Sequence, residues 1–165
     1  MNETPASILV NGAWRPARIV ATFSAFDPAT GLSLAEIYPV SSYEDAEEAL
    51  WAGRSAAREM APVSPSVLAG FLDVFAEALL AAGDELVEIA HRETALPKEP
   101  RLRSIELPRT ISQLHQAAEA VRDGSWRQAA IDTKLNIRSV REPLGGPVVV
   151  FGPSNFPFAF NAAAG

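Results

Sequence analysis

The residues best suited to chemistry lie late in the sequence, in the turn Gly152-Pro153-Ser154-Asn155-Phe156-Pro157. The turn follows an apolar run, Pro147-Val148-Val149-Val150-Phe151. Open α/β sheets bind ligands at the carboxyl ends of such strands, where the chain turns into a helix. The Asn155 amide is neutral at any pH and offers two donors, so it suits an oxyanion developing beside a nucleophile supplied from elsewhere. The competing use of an asparagine in such a turn is to hydrogen-bond its own loop. Arg109 and Gln113 form a second pair: four residues apart, they point from one helical face. The alternative for Arg109 is an ion pair with Glu106 or Glu119 on a solvated surface.

Other chemistries are excluded or weak. With no cysteine, the chain has no disulfide, thiolate metal site or cysteine nucleophile of its own. His91 and His115 lack ligand-spaced partners and read as helix-surface histidines, so no metal site is expected. Gly152-Pro153-Ser154-Asn155-Phe156 is not a nucleophile elbow, because Phe156 stands where the second glycine belongs. Neither G-x-G-x-x-G nor a Walker pattern occurs. The balance of 14 Lys+Arg against 20 Asp+Glu gives a net charge of −6, which argues against a nucleic-acid partner. Glu44, Asp45, Glu47 and Glu48 fit a helix N-terminus that favours negative charge. The N-terminal residues have no signal-peptide pattern, and the apolar stretch from Pro65 to Ala82 is broken by Gly70, Asp73 and Glu77. A cytoplasmic protein with no membrane partner is expected.

The elements that must position these residues follow from turn chemistry and periodicity. Ile8-Leu9-Val10 and Ala13-Trp14-Arg15 flank Asn11-Gly12, a type I′ hairpin signal. A second pair is expected between Ile19–Phe26 and Leu34–Tyr38, around the Asp27-Pro28-Ala29-Thr30-Gly31 turn. A first helix places Ala46, Ala49, Leu50, Gly53, Ala57 and Met60 on one face, with Ser41 or Ser42 in a capping box. A second begins at Ser64-Pro65, carries Leu68, Phe71, Leu72, Phe75 and Leu79, and ends at Gly83. Asp84 caps a third, stopped before Pro97. A fourth pattern carries Leu102, Ile105, Ile111, Leu114, Ala118 and Val121 up to Gly124, and Pro108 inside it predicts a kink or a new start near Leu107. Residues 136–142 read as a polar strand, 147–151 as a strand buried on both faces, and a helix starts after Pro157. Trp14, Trp51 and Trp126 read as packing aromatics.

The segment Arg141-Glu142-Pro143-Leu144-Gly145-Gly146, with the apolar strand and the Pro-Ser-Asn-Phe-Pro turn after it, resembles the aldehyde dehydrogenase superfamily. Asn11-Gly12 with Trp14, the Asp27–Gly31 turn and Glu93-Thr94-Ala95-Leu96-Pro97 extend the likeness in the same order. Arg109-Thr110-Ile111-Ser112-Gln113-Leu114 and Gly124-Ser125-Trp126 are similar to the α-ketoglutaric semialdehyde (2,5-dioxopentanoate) dehydrogenase branch. Relatives usually carry glycine where Pro108 and Ala95 stand. The resemblance implies that Asn155 binds the oxyanion and that Phe151, Gly152, Pro153 and Ser154 touch an NAD or NADP cofactor. It further implies a substrate tunnel bordered by the helix of Arg109 and Gln113 and walled by Phe156, Ala159 and Phe160. There the guanidinium and the amide would hold the carboxylate of a dicarboxylic semialdehyde.

The fold implied is α/β, the N-terminal portion of that family's architecture. Residues 1–134 supply flanking hairpins and a helical layer, 135–146 an oligomerisation-arm strand, and 147–165 the first strand of the Rossmann-like cofactor domain with the signature turn. The nucleophilic cysteine and general-base glutamate of such enzymes lie beyond the residue matching Gly165. The chain is therefore expected to be inactive alone and part of a homo-oligomeric enzyme acting on a small aldehyde. The alternative is a non-catalytic relative serving as an oligomerisation or regulatory module.

Overall fold

A computed structural model describes residues 4–163. Strands β1 (Ile8–Val10) and β2 (Ala13–Arg15) form the expected hairpin, with Asn11 and Gly12 at φ of 52° and 75°, the positive values a type I′ turn demands. The second pair forms between β3 (Ile19–Phe23) and β4 (Tyr38–Ser41), so the downstream strand lies later than Leu34–Tyr38. Phe23 stands opposite Tyr38, with ring centroids 5.5 Å apart, and this aromatic pair accounts for the register. The Asp27–Gly31 turn closes through the Gly31 N–H on the Asp27 carbonyl at 2.7 Å, leaving a lone bridge between Phe26 and Ser33.

Helix α1 (Tyr43–Met60) starts after Ser42, whose hydroxyl does not cap it. The capping box fails because Asp45, the N3 residue, faces the strands instead. Its carboxylate accepts from the Arg18 backbone N–H at 2.6 Å and from the Arg15 and Arg18 guanidiniums at 2.9 and 2.8 Å. Burial raises the Asp45 pKa, and these donors more than offset it, leaving the carboxyl below its ordinary value. The expected apolar face is largely open: Leu50 and Met60 are half-exposed.

Helix α2 (Pro65–Ala81) begins as expected, with the Ser64 hydroxyl accepting from the Val67 N–H and proline at the first helical position. It packs on α4 (Leu107–Asp123), where fully buried Ala69, Ala76 and Ala118 let the backbones approach. Asp73 on α2 pairs with His115 at 2.8 Å and with Arg122, both on α4. Phe71, expected in the core stripe, is exposed and stacks on Phe75. Helix α3 (Gly83–Thr94) follows after Ala82; Asp84 lies in its first turn, paired with Arg103, and does not cap it. A Cβ on Gly83 would sit 2.8 Å from Leu107 Cδ2, so the glycine permits the close approach of α3 and α4.

A π-helical run, Lys98–Glu106, leads into α4 and is interrupted at Glu99. Pro108 falls in the first turn of α4, where its missing N–H costs no hydrogen bond, so it marks a start. Val87, Ala90, Leu102, Leu107 and Phe158 form the main core cluster. Gly124, at φ of 70°, ends α4 as expected. Strands β5 (Ala130–Asp132) and β6 (Ile137–Ser139) then form an exposed hairpin that joins residues on both sides of the 134/135 division.

Residues 147–151 pair with no strand among the described residues, and Val148, Val149 and Phe151 are exposed. A strand buried on both faces needs sheet neighbours and covering helices, and no described element supplies them. After Pro157 a helical element starts as expected, as the π turn Ala159–Ala163. Trp14, Trp51 and Trp126 lie at the surface, against the expectation of packing; Trp51 carries the Arg54 guanidinium over its ring. Among the described residues no single helix is long and apolar enough to cross a membrane.

Candidate active site

The signature turn is held by two residues that the sequence did not single out for it. Glu106 stands at the junction of the π-helical run and α4 and is 1 % exposed. One carboxylate oxygen accepts from the backbone N–H groups of Phe158 and Ala159, at 2.8 and 3.2 Å, and the other accepts from Arg101 Nη1 at 2.5 Å. An isolated buried carboxylate is costly, and three donors, one of them charged, are what makes this one tolerable. The other arm of Arg101 donates to the Asn155 backbone carbonyl at 2.6 Å. Its guanidinium lies 4.5 Å from the centre of the Phe156 ring, which meets Phe160 edge-to-face at 5.3 Å. Phe158 anchors the turn in the core cluster.

This leaves Asn155 held by its backbone with its side chain free. The residue is exposed, and its amide makes no hydrogen bond among the described residues. The reading in which it serves only its own turn therefore lacks its hydrogen bond.

Arg109 and Gln113 stand on α4, which contacts the Ala159–Ala163 turn. Arg109 is exposed and makes no ion pair among the described residues; Glu106, one of its alternative partners, is taken by Arg101. The Gln113 side-chain oxygen is buried without a partner. Phe156 is half-buried and Phe160 is 41 % exposed, whereas Ala159 is 2 % exposed and forms no open wall. Cavities of about 710 and 350 Å³ lie elsewhere: the larger is lined by Leu80, Leu107, Ile111 and His115 among others, the smaller by Asp27, Ile89 and His91 among others. Among the described residues, then, the site is an open surface.

Residues 151–154 are exposed, and a Cβ on Gly152 would displace the Asn161 side-chain amide from its present position. Together with the free Asn155 amide this fits contact with the nicotinamide end of a dinucleotide. Neither of the two cavities is lined by residues 151–155. The described residues contain no group of three metal-ligating side chains. His91 Nδ1 donates to the Leu96 carbonyl at 2.7 Å, and His115 joins Asp73, so both have structural partners.

Arg101 and Glu106 were missed because each looks like an ordinary charge in a polar stretch. The available signal was spacing: Leu102, Glu106, Thr110 and Leu114 recur every four residues, which places a carboxylate on a core stripe.

The aldehyde dehydrogenase family model matches residues 14–164. Alpha-ketoglutaric semialdehyde dehydrogenase 2 of Azospirillum brasilense is 40 % identical over 163 residues, covering 93 % of this chain and 31 % of that protein. The aldehyde dehydrogenase KauB of Pseudomonas aeruginosa superimposes with a TM-score of 0.72 at 24 % identity, covering 97 % of this chain and 32 % of that one. Aldehyde dehydrogenase C of Pseudomonas syringae, solved with NAD+ and octanal, gives 0.70 at 18 % identity over 80 % of this chain and 26 % of that one. The chain spans about a quarter to a third of the length of these proteins. With its signature turn and its helical layer matched in both sequence and fold, the chain belongs to the aldehyde dehydrogenase family.

Proposed function

We propose that this chain forms the oxyanion-binding and substrate-facing third of an NAD(P)+-dependent dehydrogenase that oxidises a dicarboxylic semialdehyde, α-ketoglutaric semialdehyde first among them. The observation that carries the reading is the Asn155 amide, exposed and unengaged on a turn fixed from beneath by Glu106 and Arg101. The 40 % identity to the Azospirillum enzyme supports the substrate class.

In the complete enzyme a cysteine thiolate outside this chain adds to the aldehyde carbon, and the carbonyl oxygen takes up the negative charge. The Asn155 amide donates to that oxygen, an interaction worth about 3 kcal/mol in comparable oxyanion holes. NAD(P)+, when bound, supplies the acceptor for the hydride, and Phe151–Ser154 offer exposed backbone for its nicotinamide end. Water, deprotonated by a carboxylate outside this chain, then releases the acid. Arg109 carries a charge unmatched among the described residues, and Gln113 lies on the same face; together they hold the distal carboxylate of the substrate. Phe156 and Phe160 give the aromatic wall, and Ala159 supports it from below. The exposed β5–β6 hairpin, with Ile131 70 % and Leu144 84 % exposed around it, is the surface through which copies of the enzyme assemble.

The test is a chimera in which this chain replaces the matching third of the Azospirillum enzyme. It is expected to oxidise α-ketoglutaric semialdehyde in preference to a plain aldehyde of equal length. Arg109→Met is expected to reduce that preference about 10- to 150-fold, the worth of a charge-assisted contact. An unchanged preference overturns the carboxylate assignment. The chain by itself, lacking a thiol, is expected to show no aldehyde-dependent reduction of NAD+ or NADP+, and turnover by the pure chain contradicts the account.

A further inference from the structure

Resting on the dehydrogenase reading, we infer that Arg101 and Glu106 are positioning residues for the oxyanion donor, and that together they fix the backbone from which the Asn155 side chain extends. A side chain on an exposed turn samples many directions unless its backbone is fixed, and a donor displaced by about 1 Å can cost about 100-fold in rate. Three backbone hydrogen bonds and one ring contact hold this turn. Glu106 accepts the N–H groups of Phe158 and Ala159 just after the turn. Arg101 holds the Asn155 carbonyl within it and covers the Phe156 ring. The Arg101–Glu106 ion pair at 2.5 Å joins the two halves.

The arrangement exceeds what packing alone requires. Phe158, at 9 % exposure, already anchors the chain in the core through its side chain. A carboxylate at 1 % exposure adds two backbone contacts that an apolar residue could not make. Arg101 is specifically suited because its planar fork serves two acceptors at once while its face stacks on an aromatic ring. A lysine at this position presents one ammonium and cannot do all three. The clamp also explains how an exposed turn without sheet neighbours keeps a defined donor: its reference frame is the start of α4, the helix that also carries Arg109 and Gln113. Oxyanion donor and carboxylate grip are thereby referred to one rigid element.

Two measurements test this. Amide hydrogen exchange on the 165-residue chain reads the clamp itself: Glu106→Gln and Arg101→Met are each expected to raise exchange at Phe158 and Ala159 at least 10-fold. They should leave Leu114 and Ala118 in α4 unchanged. Equal exchange at Phe158 and Ala159 in the native chain and both variants overturns the clamp. If Glu106→Gln unfolds the chain, Arg101→Lys, which keeps the charge, gives the same comparison.

Steady-state kinetics of the chimera reads the consequence. Arg101→Met and Arg101→Lys are expected to lower kcat about 10- to 100-fold, the range typical of residues that orient a reactive group. KM should stay within about threefold, with no change in the preference for carboxylated aldehydes. A purely structural role would lower the yield of folded enzyme and leave kcat per active site unchanged, and that result overturns the proposal. An inactive chimera with native residues counts against the dehydrogenase reading, and the exchange result still decides the clamp.

Discussion

The surroundings of Asn155 leave its amide without a partner among the described residues. The turn spends its internal hydrogen bonds on backbone and on Asn161, whose amide donates to the Pro157 carbonyl at 2.8 Å. Asn155→Ala in the chimera is expected to lower kcat about 100- to 1,000-fold with little effect on melting temperature, since nothing in the fold depends on that amide. A comparable loss of stability would mean the amide serves the turn after all. Glu106 shows the opposite balance. Removing it leaves a guanidinium and two buried N–H groups without their acceptor, so Glu106→Ala is expected to cost about 3–5 kcal/mol in urea unfolding. A loss below 1 kcal/mol would show that water reaches these donors. Asn155 stood out as a candidate in the sequence because amide, proline and apolar run sit together. Its supports did not, because Arg101 and Glu106 lie about fifty residues upstream and meet the turn only in the fold.

Among elements, α4 organises the site. Its contact with α2 is made by alanines and by Asp73, which receives hydrogen bonds from Arg122 and His115 that hold its carboxyl below the ordinary carboxylate value. A carboxyl whose pKa is lower folded than unfolded adds stability above the unfolded value of about 3.9, and that stability disappears as pH falls through the folded value. The stability gap between native chain and Asp73→Asn is therefore expected to be full at pH 7 and to shrink below pH 4. A gap that stays constant with pH contradicts an electrostatic role. Helix boundaries at Ser64-Pro65 and Gly124 were legible because capping chemistry is local. Two other features depended on distant partners. The Asp45 carboxylate left its capping box for two arginines on the hairpins, and the β4 pairing moved downstream to set Tyr38 against Phe23. Leu102→Ala, which empties a fully buried position between α3 and α4, is expected to cost about 2–5 kcal/mol with an unchanged denaturant slope.

At the scale of the whole molecule, much apolar surface remains open along α1, the outer side of α2 and residues 148–151. The periodicity of α1 correctly marks an amphipathic helix; it meets β1, and Pro147 lies near Gly53, but Leu50, Trp51 and Met60 stay exposed. For 147–151 the composition predicted a strand, and composition alone cannot supply the neighbours that make a strand form. The chain spans about a third of the length of its curated relatives. The proposed donation from the Asn155 amide to charge created on an aldehyde oxygen is tested by a single comparison. Pre-steady-state NADH formation from α-ketoglutaric semialdehyde is followed in the chimera with asparagine and with alanine at position 155. The account predicts a rapid burst with asparagine that slows at least 100-fold with alanine, and equal burst rates would contradict it.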